Sequence, residues 1–187
     1  MDKRELSELM REKAESIQAE VFEVTSLTEV FKYTLALTQS RGGKTIAAPG
    51  FGELDELRTL CRAAGIQLLE PPLRNHLDAI HTGLTLADGG IADTGTLVIN
   101  SASEDLRLAT MLCDAHVAVL PMAAIYPDMG ALTQKLDAIL KASASYLAFI
   151  SGPSRTADIE RVLSIGVHGP KELHILLMEE GRHGNPQ

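Results

Sequence analysis

The feature that most constrains the fold is a strand–helix–strand unit over residues 45–69. Residues 45–49 and 66–69 are short apolar runs, and residues 53–64 between them repeat leucine at helical spacing. Gly65 follows the helical segment directly, at the position where a glycine commonly ends a helix. Two strands joined through a helix pair in parallel and cross over in the right-handed sense. The unit therefore predicts a parallel sheet covered by helices.

Apolar segments elsewhere continue this alternation. Further strands are predicted at residues 21–24, 116–120, 146–150 and 172–178, and further helices at residues 2–19, 26–41, 101–112 and 128–141. Most of the strands are almost continuously apolar, which is typical of a sheet buried on both faces. We therefore predict an α/β fold with three α/β/α layers around a mainly parallel sheet. One antiparallel hairpin is predicted between residues 84–87 and 91–99, because Asp88-Gly89-Gly90 separates them.

The chain is predicted to form a single domain. With 187 residues, of which 45% are hydrophobic, it can bury one substantial core. We divide it into an N-terminal helical segment over residues 1–40, an α/β core over residues 41–180 and a frayed tail over residues 181–187.

Charge and cysteine content exclude several classes of protein. The net charge of -8 argues against binding to nucleic acid. No apolar run reaches the roughly 18 residues that a membrane span needs, and the N-terminus lacks the apolar core of a signal peptide, so we expect a cytoplasmic protein. Cys61 and Cys113 stand far apart in apolar patterns, which favours buried free thiols. Neither a metal site nor a cysteine-ligated cluster is expected in this chain.

A polar turn follows the apolar residues 146–150. Gly152 allows a sharp turn, Ser154 or Thr156 is suited to cap a following helix, and the free N–H groups at the start of that helix would attract an anion. Arg155 adds a planar guanidinium that fits a carboxylate or phosphate. We therefore predict an anion-binding turn over Ser151–Arg155. The alternative is that Ser154 only caps the helix while Arg155 pairs with an acidic residue of that helix.

A second polar stretch interrupts an apolar strand at Asp93, Thr94, Gly95 and Thr96. Buried polar groups need hydrogen-bond partners, and a glycine in a strand often marks a bulge or a close approach of another backbone. Asp93 can serve as a general base or orient a substrate, with Gly95 leaving room for it. The alternative is a bulge in which Asp93 accepts hydrogen bonds from the local backbone.

A third polar stretch precedes the last predicted strand. His168 titrates near neutral pH in its ordinary state, so it can act as an acid, a base or a hydrogen-bond donor to an oxyanion, or it can bond its own loop. Gly169 lies beside it, and Lys171 is either a second contact for an anion or a solvated side chain. His174 lies within the strand, where we expect a core histidine with satisfied hydrogen bonds.

Ligands of parallel sheets bind beyond the carboxyl ends of the strands. We expect the loops at Gly50, Ser101, Pro121 and Ser151 to lie along that edge. Arg107 follows Ser101 by about two helical turns and is either directed towards the same edge or engaged in a surface ion pair.

The three polar stretches together resemble the signature of the LutC/YkgG family, whose members carry the LUD (lactate utilisation) domain. They read Ala-Asp-Thr-Gly-Thr over residues 92–96, Ile-Ser-Gly-Pro-Ser-Arg-Thr-Ala-Asp-Ile-Glu over residues 150–160 and Gly-Val-His-Gly-Pro-Lys-Glu-Leu-His over residues 166–174. Members commonly have arginine where this chain has Lys171, so the charge is kept and the planar fork is lost.

The resemblance implies a fold similar to the NagB/RpiA/CoA-transferase group. It also implies a part in the oxidation of L-lactate to pyruvate, alongside partner proteins that hold iron–sulfur clusters, with no cofactor in this chain. We expect a non-cluster subunit whose pocket takes a small anionic metabolite such as lactate, pyruvate or a phosphorylated compound. The rival hypothesis is a stand-alone transferase, hydrolase or metabolite-binding protein that acts on an acyl, sugar-phosphate or folate-type ligand.

The candidate site is the set of polar residues from these three stretches. As catalytic residues we predict Asp93 and His168. As residues that bind the substrate we predict Thr94, Gly95, Thr96, Ser151, Gly152, Ser154, Arg155, Gly169 and Lys171.

Overall fold

Helices and strands alternate over the first third of the chain, and strands predominate in the rest of its described part. The structure, a computed structural model, describes residues 1–133, 136, 146–156, 164–166 and 169–179. The helices are α1 Lys3–Ser16, α2 Leu27–Ser40, α3 Asp55–Ala64 and α4 Glu104–Met111, and residues 129–133 are also helical. The strands are β1 Glu20–Val24, β2 Thr45–Ala47, β3 Gln67–Leu69, β4 Thr82–Leu86, β5 Gly89–Ile91, β6 Thr96–Asn100, β7 Ala115–Pro121, β8 Ile125–Tyr126, β9 Leu147–Ile150, β10 Arg155–Thr156, β11 Ser164–Ile165 and β12 Glu172–Met178.

The centre of the fold is a six-stranded sheet in the order β1-β12-β7-β4-β2-β3. All five of its pairings are parallel, including the pairing of β2 with β3 across α3. The predicted strand–helix–strand unit is therefore confirmed, and so is the α/β class with a mainly parallel sheet. The first 40 residues contribute two helices and the edge strand β1 to this core.

Local sequence signals set several helix ends. The side chain of Asp2 accepts a hydrogen bond from the Glu5 amide and the Glu5 carboxylate accepts one from the Asp2 amide, as a capping box requires. Ser26 caps α2, and Gly65 ends α3 in the left-handed conformation. The predicted start of α4 at Ser101 is wrong, because the N-cap residue is Ser103.

A second, four-stranded sheet in the order β8-β5-β6-β9 was not predicted. The hairpin expected around Asp88-Gly89-Gly90 is wrong: β4 belongs to the central sheet, and β5 pairs antiparallel with β6 instead. The turn of the true hairpin lies at residues 92–95, where Gly95 supplies a backbone φ of +63°. Gly89 and Gly90 are buried within β5, so the Asp-Gly sequence marks the passage from one sheet to the other.

Two apolar cores lie on opposite faces of the central sheet. Val117 and Val119 of β7 point to the core that α2 and α3 cover, whereas Ala118 and Leu120 point to the core shared with α1 and the second sheet. This alternation follows from the period of two along a strand. In the described part of the chain, α2 and α3 thus form one outer layer, and the other layer combines helices with a small sheet.

The described helices include none that is both long and apolar enough to cross a bilayer. Residues 134, 135 and 137–141 of the helix predicted at 128–141, and the tail predicted at 181–187, lie outside the described residues.

Candidate functional site

Pairing within the second sheet brings two of the polar stretches together. β6 and β9 are antiparallel, with Leu97 opposite Ile150, so Thr96 and Ser151 are the next pair in register. The hydroxyl oxygens of Thr96 and Ser151 lie 2.7 Å apart and share a hydrogen bond. The polar residues after β9 are therefore fixed beside the start of β6.

The turn after β9 continues into a short strand before the residues predicted to be helical. Arg155 and Thr156 form the short strand β10, which pairs with β11, so Ser154 does not cap a helix there. The amide of Ser154 donates to the carbonyl of Pro170, and its carbonyl accepts from the amide of Gly166. Because these backbone groups are engaged, the Ser154 amide is not available as part of an anion-binding helix terminus. The remainder of the predicted helix lies outside the described residues.

The backbone hydrogen bonds to Ser154 also place this turn at the amino ends of the central strands, whereas the prediction placed it at their carboxyl ends. Pro170 and Gly166 precede β12, so they stand at the amino end of a strand in the central sheet. Ser151 follows β9, which belongs to the second sheet. The expectation that Ser151 lies at the carboxyl edge of the main sheet is therefore wrong, since it assumed that all strands share one sheet.

A cleft of about 340 Å³ opens between α4 and β9 and extends to the loop before β12. His116 of β7 and Leu173 of β12 contribute to it from the central sheet. Its polar lining consists of Ser101, Arg107, Thr110, His116, Ser151 and Ser154. Its apolar lining consists of Met111, Ala148, Phe149, Ile150, Pro170 and Leu173. A mostly apolar cleft with a few polar groups is the usual form of a site for a small molecule.

Arg107 is the only permanently charged residue among the described residues of the lining, and none of them carries a carboxylate. Its Nη1 donates to the carbonyl oxygens of Ser101 at 2.6 Å and Ala102 at 2.9 Å, and its guanidinium carbon lies 5.8 Å from the centre of the Tyr146 ring. Nε and Nη2 have no hydrogen-bond partner in the described part of the chain. These two nitrogens form the side-on fork that accepts a carboxylate in two parallel hydrogen bonds. The surface ion pair considered as the alternative for Arg107 is absent from the described residues.

Two glycines allow loops near the cleft to pack against the end of α1, one in the turn before β6 and the other in the turn after β9. A Cβ on Gly95 would lie 2.3 Å from the Ala14 nitrogen, and a Cβ on Gly152 would lie 2.3 Å from the Ile17 carbonyl oxygen. Both glycines also have positive φ angles, of +63° and +73°. Only glycine satisfies both conditions, so these positions fix how closely the loops approach α1.

The structure brings part of the predicted site together. Four of the predicted residues line the cleft, namely Ser151, Gly152, Ser154 and Gly169. Thr96 contacts the cleft residue Ser151, and Gly95 and Thr94 lie in the turn before it; the Thr94 hydroxyl donates to the Ile91 carbonyl at 3.5 Å. His168 lies outside the described residues.

Three charged residues of the predicted site do not line this cleft. Asp93 is exposed in the turn between β5 and β6, where its amide donates to the Pro127 carbonyl. Arg155 is exposed and donates from Nη2 to the Ser151 carbonyl at 3.1 Å. Lys171 forms an ion pair with Asp114 at 2.7 Å outside the cleft, and this contact raises the pKa of the lysine.

His116 is the cleft residue that sequence reasoning missed. It was assigned to a strand and given no role, although a polar residue inside the apolar run of residues 115–120 requires a partner. That partner is Thr85, whose Oγ1 lies 2.8 Å from Nε2 of His116. Burial, with a smaller effect from nearby His174, lowers the pKa of His116 to about 4.

His174 is the core histidine that was predicted. It is 1% exposed, and its ring nitrogens contact Tyr33 Oη at 2.8 Å and Glu172 Oε2 at 3.0 Å. Arg41 in turn donates to both oxygens of Glu172. Glu20, Glu172 and His174 lie close enough to suit a cation geometrically, but both ring nitrogens of His174 and both carboxylate oxygens of Glu172 are already hydrogen-bonded.

The parallel central sheet, the additional small sheet and the mostly apolar cleft define an α/β protein with a cleft of the form that suits a small molecule. The chain belongs to the LUD domain family, whose model matches residues 7–178. The resemblance to LutC/YkgG proteins drawn from the three motifs is thereby confirmed.

Curated relatives and one solved structure agree with this assignment. The chain is 37% identical over 103 residues to the lactate utilization protein C of Halalkalibacterium halodurans, covering 52% of this chain and 44% of the relative. It is 33% identical over 106 residues to the lactate utilization protein C of Bacillus subtilis, covering 54% of this chain and 43% of the relative. To the protein YkgG of Escherichia coli it is 27% identical over 168 residues, covering 84% and 73%. The first two matches thus span less than half of the relatives' own lengths.

The crystal structure of a DUF162 family protein from Deinococcus radiodurans has the same fold. The TM-score is 0.69 at 20% identity, and the match covers 95% of this chain and 99% of the other.

Proposed function

We propose that this protein is a component of a lactate-utilising system and binds a small carboxylate, lactate or pyruvate, in the cleft between α4 and β9. The single observation that carries the proposal is the cleft itself, with one arginine, no carboxylate among its described lining residues, and apolar walls. The names of the relatives from H. halodurans and B. subtilis favour lactate chemistry.

The role of Arg107 follows from its fixed position. Two carbonyl oxygens hold Nη1, so the guanidinium is oriented before a ligand arrives and little side-chain entropy is lost on binding. Nε and Nη2 would then hold the carboxylate. The apolar residues around them raise the strength of this charge-assisted pair, because they exclude water from it.

Oxidation of L-lactate to pyruvate releases two electrons, which need an acceptor. The chain contains two cysteines, both buried, with Cys61 in α3 and Cys113 in the loop between α4 and β7, so they do not suit a cluster with four cysteine ligands. We therefore propose that iron–sulfur partner proteins receive the electrons, and we assign this chain the handling of the substrate.

Binding of the carboxylate is tested with two matched arginine variants. Pyruvate and L-lactate should raise the thermal midpoint of the wild-type protein, since a ligand that binds only the folded state stabilises it. Arg107→Met should abolish the shift, whereas Arg155→Met, which changes an exposed arginine outside the cleft, should keep it. A shift that survives Arg107→Met would show that the carboxylate is bound elsewhere.

The place of the chain in lactate oxidation is tested separately. The purified chain should not oxidise L-lactate with an artificial electron acceptor, and turnover by this chain alone would refute the subunit role. Deletion of the gene should prevent growth on L-lactate, and the wild-type gene, but not the Arg107→Met gene, should restore it.

A further inference from the structure

The floor of the cleft contains a histidine whose surroundings leave it one free hydrogen-bonding atom. His116 is the second residue of β7, between Gly83 of β4 and Leu173 of β12 in the register of the central sheet. Gly83 packs against α4, where a Cβ would meet the Ala109 carbonyl at 2.0 Å. The missing side chain at Gly83 thus lets α4 approach the sheet, and His116 faces the cleft beside it.

The two ring nitrogens of His116 have different environments. Nε2 is bonded to Oγ1 of Thr85, which is fully buried. Nδ1 has no hydrogen-bond partner in the described part of the chain. Among those residues, every side-chain nitrogen or oxygen that is fully shielded from solvent has a partner, so Nδ1 is not fully shielded. His116 also belongs to the lining of the cleft. Nδ1 is therefore the ring atom that reaches the cleft.

Other polar side chains of the cleft are already engaged within the protein. Ser101 donates to the Tyr146 carbonyl, and Thr110 donates to the Arg107 carbonyl. Ser151 shares its hydrogen bond with Thr96, as described above. Ser154 is half-buried, so water can bond its hydroxyl. His116 is only 1% exposed, so the hydrogen-bond partner of its Nδ1 must be a molecule that occupies the cleft.

We propose that Nδ1 of His116 hydrogen-bonds the 2-oxygen of a 2-hydroxy or 2-oxo acid and so selects these acids over unsubstituted ones. This inference rests on the proposed function, because it requires Arg107 to hold the carboxylate. The oxygen on the adjacent carbon then lies in a mostly apolar cleft, where it needs a polar partner. A site built to bond that oxygen discriminates against an acid that lacks it, because Nδ1 is then left unpaired.

The ring is suited to this role because it is neutral. Burial, and to a smaller extent the nearby His174, hold the pKa of His116 well below neutral pH. A neutral imidazole has one donor and one acceptor nitrogen. The hydrogen bond between Nε2 and Thr85 holds the ring in this orientation, so Thr85 is a positioning residue that acts through His116.

Three acids of similar size test the proposal on the full chain. Pyruvate and L-lactate carry the 2-oxygen, and propanoate lacks it. One hydrogen bond of about 1.4 kcal/mol corresponds to a tenfold change in affinity. Titration calorimetry of the wild-type protein should therefore show that pyruvate or L-lactate binds about tenfold more tightly than propanoate.

Two variants separate the two ring nitrogens. In His116→Gln the amide lies near the position of Nε2, so the bond to Thr85 can persist while the group at Nδ1 is lost. In His116→Asn the amide lies near the position of Nδ1 instead. We expect His116→Gln to bind all three acids about equally, and His116→Asn to keep part of the preference.

The possible outcomes distinguish this inference from the proposed function. If the wild-type protein binds none of the three acids, the proposed function fails and this inference fails with it. If the wild-type protein binds propanoate as tightly as pyruvate, or if His116→Gln keeps the preference, only the role of His116 is refuted. Should both variants fail to fold, nitrogen NMR of the wild-type protein decides: pyruvate must shift the Nδ1 signal of His116 more than propanoate does, and equal shifts overturn the inference.

Discussion

Replacement of Gly152 by alanine tests how the site loop is held against α1. Gly152 has a φ of +73°, and a Cβ built on it would lie 2.3 Å from the carbonyl oxygen of Ile17. That oxygen belongs to the backbone at the end of α1, so it cannot move aside as the end of a flexible side chain can. The variant must therefore displace either the loop or the end of α1.

The expected loss of stability in Gly152→Ala has two parts, and a second glycine of the chain provides a control that measures one of them alone. Placing a residue with a Cβ in the left-handed conformation costs about 1–2 kcal/mol, and forcing an extra atom into a packed contact costs about 1–3 kcal/mol. Gly42 has the same φ of +73° and no atom within 4 Å of its added Cβ. Gly42→Ala should therefore show the conformational cost alone, and Gly152→Ala should lose about 2 kcal/mol more.

Urea denaturation followed by circular dichroism measures both variants on the same scale. The free energies of unfolding should differ while the m-values stay equal, since the extent of unfolding is the same. Gly152→Ala should also weaken the binding of pyruvate, because Gly152 lines the cleft. If the two variants are equally stable within about 0.5 kcal/mol, the close contact between this loop and α1 is not rigid and the reasoning is refuted.

Two further predictions concern stability. Ser26→Ala should lower the free energy of unfolding in urea by about 1 kcal/mol, because the Ser26 hydroxyl accepts a hydrogen bond at the start of α2. Ser103→Ala should lower it little, because Ser103 makes no such bond at the start of α4. Equal losses in the two variants would contradict this assignment of the caps. Partial burial acts to raise the pKa of Glu172, but hydrogen bonds with His174 and Arg41 outweigh it and hold this pKa below its ordinary value. The stability that Glu172 contributes is therefore present above its unfolded pKa of about 4.3 and is lost as the pH falls through the folded pKa. Glu172→Gln should reduce the loss of stability between pH 7 and pH 3, by less than about 1 kcal/mol; an unchanged pH dependence would contradict the network.

Local patterns in the sequence sufficed for most of the helices and strands. The caps at Asp2 and Ser26 and the glycine at Gly65 act within a few residues of themselves, so their effects can be seen without knowledge of the fold. The limits of β12 were predicted from its apolar run alone. Prediction failed where the local sequence fits two structures equally well. At Asp88-Gly89-Gly90 the same residue types suit a hairpin turn and a segment in which the chain crosses from one sheet to the other.

The sequence by itself determined the α/β class, the parallel pairing around α3 and the membership of the LUD domain family, because periodicity and motifs are properties of contiguous residues. Only the tertiary structure decided which side chains form the cleft. The pairing of β6 with β9 placed Ser151 there, and the approach of α4 to Gly83 brought Arg107 and His116 to the same space. These contacts join residues that are distant along the chain, and they depend on strand order and on which face of the sheet each side chain occupies. No local pattern carries that information.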